Sequence, residues 1–215
     1  SPPFIEAINS FDSFDLNWLE FNGDRFETII ENTERFVLGL PAHNVLVWGP
    51  RGGGKSSLIR GLLTKYHSRK LRAIEITSAD YADFSRIYSS IRETGHRFIA
   101  VLDNVSFNRG DKMIRDLSRN MEGGLEKPPE NLLFYATSNY KDLVDREGDL
   151  GQGLGIMQME EDTNARIANS VRPEIYDPQQ NQRIDELRAL DDRFALKVFI
   201  DLPTKSMYES MLGTY

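Results

Sequence analysis

Residues 44 to 66 constrain this chain more than any other stretch. Asn44-Val45-Leu46-Val47-Trp48 is an apolar run of strand length, and Gly49-Pro50-Arg51-Gly52-Gly53-Gly54-Lys55-Ser56-Ser57 follows it. Leu58, Ile59, Leu62, Leu63 and Tyr66 then recur at helical spacing. Gly49 to Ser56 fits the pattern G-x-x-x-x-G-K-[ST], in the strand–loop–helix order that gives the pattern structural meaning. With glycine at about 7% of average usage, a chance match in a chain of this length is on the order of one per cent. The physics of the pattern is anion binding. Glycines let successive backbone N–H groups converge on phosphate oxygens, and the positive end of the next helix favours the same charge. Lys55 has the reach for the outer phosphates of a nucleotide, and the Ser56 hydroxyl can ligate magnesium. Arg51, inside the loop, is either solvent-exposed or in contact with a phosphate or a partner.

Downstream, apolar runs alternate with helical patterns. Strands are predicted at Leu71 to Thr77, Phe98 to Leu102, Asn131 to Thr137 and Leu196 to Ile200. Helices are predicted at Asp80 to Arg92, with Asp80 as the start signal, at Lys112 to Met121, and at Thr204 to Leu212 after Pro203. An amphipathic helix over Phe26 to Leu38 precedes the first strand. Five near-continuous apolar strands separated by helices predict a parallel sheet covered on both faces. No internal repeat is evident. Residues 1–25 read as an N-terminal extension and 26–215 as the core. Within it, 146–190 is rich in Gly, Gln, Asn and acids, and reads as a loop-rich insertion, with a helix at Asp162 to Ser170 as an option.

A phosphate loop needs an acid on the magnesium side, at the end of a neighbouring buried strand. Asp103 follows Phe98-Ile99-Ala100-Val101-Leu102 and is the candidate; an acid there can also be a turn residue. One strand lies between the loop and Asp103 in sequence. That spacing belongs to the P-loop class whose sheet has the order 5-1-4-3-2. Position 104 is Asn where that class generally has a carboxylate to orient or deprotonate water, and an amide is a poor proton acceptor. Asn139, closing Thr137-Ser138-Asn139, can sit beside the water and the outer phosphate, or simply cap the loop. Arg193 stands just before the last strand. It can project onto a neighbouring subunit's nucleotide, or pair on the surface with Asp191 or Asp192.

Composition narrows the rest. At 40% hydrophobic and 27% charged, the 215 residues suit one ordinary folded domain rather than a disordered chain. The absence of Cys removes disulfides, thiol catalysis and zinc–thiolate sites. His43, His67 and His96 stand singly, without metal-ligand spacing. No run approaches the roughly 18 apolar residues of a membrane span, and no secretory signal is visible at the start. A cytoplasmic location is therefore expected. The net charge of −7 is uneven: Asp145 to Arg193 holds 12 acids and 6 bases, leaving 21 acids and 20 bases elsewhere. The basic stripe of a nucleic-acid binder is missing.

Together these segments resemble the bacterial AAA+ ATP-binding family known only as domain of unknown function 815. The likeness runs through Glu31-Asn32-Thr33-Glu34-Arg35-Phe36, Pro41 to Gly49, the glycine loop and Leu102-Asp103-Asn104-Val105-Ser106-Phe107. It continues in Glu122-Gly123-Gly124-Leu125-Glu126, Pro129 to Asn139 and Asp192-Arg193-Phe194. The resemblance implies an α/β P-loop NTPase of AAA+ type, a three-layer α/β/α core that binds ATP or ADP with Mg2+ and forms homo-oligomers. It implies Lys55 and Ser56 as Walker A, with Gly49 to Ser57 around the nucleotide and Ser56 and Asp103 at the metal. Asp103 becomes Walker B, Asn139 sensor one and Arg193 an arginine finger. Two departures stand out. The family usually has paired acids where this chain has Asp103-Asn104. The few residues after the last predicted strand leave the usual helical lid absent or truncated.

Three functions compete. The first is an ATPase coupling nucleotide state to remodelling or loading a macromolecular partner, with an unidentified protein as that partner. The second is a nucleotide-gated interaction module that hydrolyses ATP very slowly because of Asn104. The third, a small-molecule kinase, needs an Arg-rich lid; 146–190 has Arg166, Arg172, Arg183 and Arg188, but its net acidity opposes holding another phosphate.

Overall fold

The computed structural model describes residues 13–17, 23–77, 80, 83–105, 112–123, 126–139, 185–186 and 188–205. Helix α1 (Asp24–Val37) leads into β1 (Val45–Trp48), α2 (Lys55–Tyr66), β2 (Leu71–Glu75) and α3 (Phe84–Ile91). Then come β3 (Arg97–Leu102), α4 (Lys112–Glu122), β4 (Leu132–Ser138) and β5 (Leu196–Phe199). The five strands form one sheet in the order β2-β3-β4-β1-β5, all neighbours parallel. Counted from the β5 edge this is 5-1-4-3-2, as expected. In register, Trp48 at the end of β1 lies between Ser138 of β4 and Phe199 of β5. The carboxyl ends of the central strands therefore converge on one edge.

Strand alternation divides the core into two layers. Leu46, Ala100, Leu102, Leu132, Phe134 and Ala136 pack with α3 and α4 side chains such as Phe84, Ile87, Tyr88, Ile91 and Leu117. Val45, Val47, Ile99, Tyr135 and Val198 pack with Phe26, Ile29 and Phe36 of α1 and Leu58, Ile59 and Leu62 of α2. Successive residues of one strand go to opposite layers because the side-chain period of a strand is two. That is why these strands read as continuous apolar runs. The three-layer α/β/α arrangement follows.

Some boundaries differ from the sequence reading. Asp80 does not start α3. Its carboxylate accepts from the Thr77 N–H at 2.8 Å and the Thr77 hydroxyl at 2.6 Å, which closes a turn after β2. The helix begins only at Phe84, with Asp83 at the N-cap. Before α1, Leu16 is buried and lies over Gly61 of α2, where an added Cβ would sit 2.4 Å from Leu16 Cδ2. A mid-helix glycine costs about 1 kcal/mol in propensity; here it makes room for a side chain from the N-terminal extension. The expected helix at Asp162 to Ser170, that at Thr204 to Leu212 beyond Lys205, and most of the 146–190 segment lie outside the described residues. Within that segment 185, 186 and 188–190 are helical.

Candidate nucleotide site

The glycine loop leaves β1 in a conformation only glycine takes readily. Gly49, Gly52 and Gly54 have φ of 147°, 80° and 90°. Gly49 is the most constrained, because an added Cβ would fall 2.0 Å from the Ile200 carbonyl oxygen. The loop thus packs against the backbone leaving β5, and Gly49 N–H donates to Ser138 O of β4 at 3.2 Å. Gly54 is the N-cap of α2, whose first turn has no acidic residue and no side-chain cap. Its positive end is left for an anion rather than neutralised from within.

Lys55 reaches back over the loop. Its ammonium donates to Gly49 O and Pro50 O, both at 2.8 Å, and to Asn139 Oδ1 at 3.0 Å. Partial burial holds Lys55 below the usual lysine range; the Asp103 carboxylate opposes that shift and Arg51 adds to it. Three donors on three neutral oxygens form a ready exchange set, since an anionic phosphate is a better acceptor than a carbonyl. Ser56 Oγ donates to Asp103 Oδ1 at 3.0 Å. Asn139 Nδ2 points on to Asn104 Oδ1 at 3.4 Å, so Lys55, Asn139 and Asn104 form one polar row. Asn104 has φ of 51°, a left-handed conformation that Asn tolerates better than most residues. Arg51 is exposed, and Ser57 is half-buried one step along α2.

The donor set around Ser56 and Asp103 fits magnesium. A hydroxyl and a carboxylate are hard oxygen donors, and magnesium keeps waters and substrate phosphates rather than filling an all-protein cage. Among the described residues no group of three or more His, Cys, Asp or Glu gathers into such a cage. Because the Ser56 proton goes to Asp103, the hydroxyl lone pairs remain free for a cation.

Arg193 is not part of this cluster. It precedes β5, whose Leu196 pairs with Val45 at the start of β1, so it sits at the amino edge of the sheet. Asn44 Nδ2 donates to its carbonyl at 3.2 Å there. Neither Asp191 nor Asp192 is its ion-pair partner. Arg193 Nη2 bonds Glu122 Oε1 at the end of α4, and its buried Nε has no partner among the described residues; Asp191 pairs with Lys197 instead. A cavity of about 510 Å3 opens on the same edge, lined by Phe36, Leu40, Pro41, Arg97, Glu122 and Pro129 among others. Its Arg97 is already engaged, stacked over the Phe36 ring at 5.1 Å, and the cavity contains no residue of the phosphate loop.

Sequence reasoning missed three features. Thr137, at 1% exposure, donates to Asp103 Oδ1 at 2.5 Å. Glu122 holds Arg193. Asn32 and Thr33 of α1, both buried, bond the Tyr135 hydroxyl at 3.2 and 2.8 Å, and Asn32 also clasps both backbone groups of His43 at 2.9 Å. Those two residues of the Glu31–Glu34 stretch thus pin α1 to β4. Polar residues on an otherwise apolar helix face were the available signal; their partner, about a hundred positions away, was not.

A family model described as protein of unknown function (DUF815) matches residues 2–215. Among solved structures, the Thermotoga maritima RuvB Holliday junction branch migration motor is similar at a TM-score of 0.51 and 14% identity. The match covers 92% of this chain and 51% of that one, so this chain spans about half the length of RuvB. A DnaI crystal structure matches at a TM-score of 0.48 and 16% identity, over 89% of this chain and 90% of that one. No curated protein sequence matches. At 14% identity the likeness to RuvB is one of fold alone, the AAA+ type of P-loop core.

Proposed function

The chain belongs to the family described as protein of unknown function (DUF815), and from that premise we propose an ATP-binding AAA+ ATPase. In this reading it couples Mg-ATP binding and hydrolysis to remodelling or loading of a macromolecular partner. The observation that carries the proposal is the convergence of Lys55, Ser56, Asp103 and Asn139 around a glycine loop at one sheet edge. Loop N–H groups and the α2 end hold the phosphates. Lys55 exchanges its loop carbonyls for the outer phosphate oxygens, and Asn139 fixes both that ammonium and the water beside it. Ser56 and Asp103 would hold a magnesium ion, which would supply charge neutralisation at the phosphoryl group.

Arg193 lies a full strand length from its own phosphate loop, so its contribution comes to a neighbouring copy's nucleotide. In this reading the active species is a homo-oligomer in the cytoplasm. The near-balanced charge outside Asp145 to Arg193 favours a protein over a nucleic acid as the partner.

One observation favours a second reading. Asn104 occupies the position where a water-activating carboxylate belongs, and its amide is bonded to Asn139. A nucleotide-gated interaction module with very slow hydrolysis would use that arrangement to hold ATP. Steady-state phosphate release from Mg-ATP across a hundredfold range of protein concentration separates the two, with Lys55→Ala as the blank. The first reading expects specific activity that climbs with concentration and disappears in the blank. A protein that binds ATP with no release above the blank overturns it in favour of the gated module.

A further inference from the structure

We propose that Thr137 is the positioning residue of the magnesium-side carboxylate, an inference that rests on reading Ser56 and Asp103 as the magnesium pair. Thr137 faces Val47 in the β1–β4 register and is 1% exposed, so its hydroxyl works inside the protein rather than toward solvent. The direction of its hydrogen bond is determined by its neighbours. Thr137 Oγ1 accepts from the Asn104 N–H at 2.7 Å, an N–H that can only donate. The single hydroxyl proton is then committed to Asp103 Oδ1, at 2.5 Å.

The Asp103 carboxylate is consequently loaded on one side. Oδ1 takes Thr137 Oγ1 at 2.5 Å, Ser56 Oγ at 3.0 Å and the Asn104 N–H at 3.1 Å. Oδ2 accepts from none of the described residues. Three donors on one oxygen hold the carboxylate against rotation and leave the other oxygen with its acceptor capacity unspent. Among the described residues this exposed turn carboxylate has no further donor. Thr137 O also accepts from Val105 N–H at 2.8 Å, so the same residue ties down the backbone on the far side of the turn. That bond survives any side-chain substitution.

The effect appears in how strongly magnesium tightens nucleotide binding, read without catalysis. The full chain is titrated with ADP in excess EDTA and at stepped free magnesium, by calorimetry. Thr137→Val replaces the hydroxyl by a methyl at nearly constant volume. It should leave ADP affinity in EDTA unchanged and raise the magnesium concentration for half-maximal tightening by on the order of tenfold, the usual loss on removing an outer-shell partner. Thr137→Ser keeps the donor and should restore the wild-type midpoint. Thr137→Ala, which removes the hydroxyl without adding a methyl, must show the same rise and serves if the Val variant does not fold. An unchanged midpoint in a folded Val or Ala variant overturns the proposal. So does an equal loss of ADP affinity in EDTA, which makes Thr137 merely structural. If wild-type ADP affinity ignores magnesium, the magnesium reading of Ser56 and Asp103 falls first and this proposal with it.

Discussion

Replacing Asn104 by Asp tests the chemistry most directly, because the structure isolates a single atom change. Asn104 is held at φ of 51°, which Asp also tolerates, so the backbone is not strained anew. Its N–H bonds to Thr137 Oγ1 and Asp103 Oδ1 do not involve the side chain. The Asn139 Nδ2 bond at 3.4 Å finds an oxygen in either residue. What changes is charge. Two adjacent exposed carboxylates repel by about 1 kcal/mol in water-like surroundings, which lowers the melting temperature of a chain this size by about 2–4 °C. Against that small loss, a positioned general base accelerates water attack by about 10²–10⁴-fold. Single-turnover phosphate release should rise a hundredfold or more, with ADP affinity within a few-fold of wild type. A folded, ADP-binding Asn104→Asp variant with an unchanged rate would refute the reasoning: the missing base would not be at position 104.

Three further outcomes follow from the same geometry. Burial pushes the Tyr135 phenol up to about 12, against the lowering effect of its hydrogen bonds with Thr33 and Asn32. Its stabilising contribution is complete below about pH 10 and lost by about pH 12, amounting to up to about 3 kcal/mol. Tyr135→Phe should therefore be about 1 kcal/mol less stable than wild type at pH 8, and urea melts should show the gap closing near pH 11; a constant gap contradicts the assignment. Gly49→Ala places a Cβ 2.0 Å from the Ile200 carbonyl oxygen and should cost at least about 2 kcal/mol, measured by urea denaturation. Glu122→Gln weakens a half-exposed ion pair worth at most about 1 kcal/mol. If Arg193 acts on a neighbouring copy, this should raise phosphate release a few-fold at low protein concentration, while Arg193→Ala abolishes the concentration dependence.

The parallel core and its glycine loop are legible in the sequence because their signals are local. Glycines that need positive φ, a Lys-Ser pair opening a helix and apolar runs of strand length are all encoded within a few neighbouring positions. The parallel order 5-1-4-3-2 followed from where Asp103 falls after the loop. The Asp80 boundary was misread because Asp serves equally well as a helix cap and as a turn acceptor, and only the position of Thr77 decides.

Tertiary structure alone decided which polar groups meet. The Thr137 bond to Asp103 spans 34 positions, and the Tyr135 bond to Thr33 spans 102. Arg193 meets Glu122 across 71. No periodicity links residues so far apart, since their separation is set by how the sheet stacks its strands. The sequence names the chemical groups of the site, because each group is one residue. Which oxygen of Asp103 is restrained, and on which edge Arg193 is held, are properties of packed neighbours and exist only once the sheet has formed.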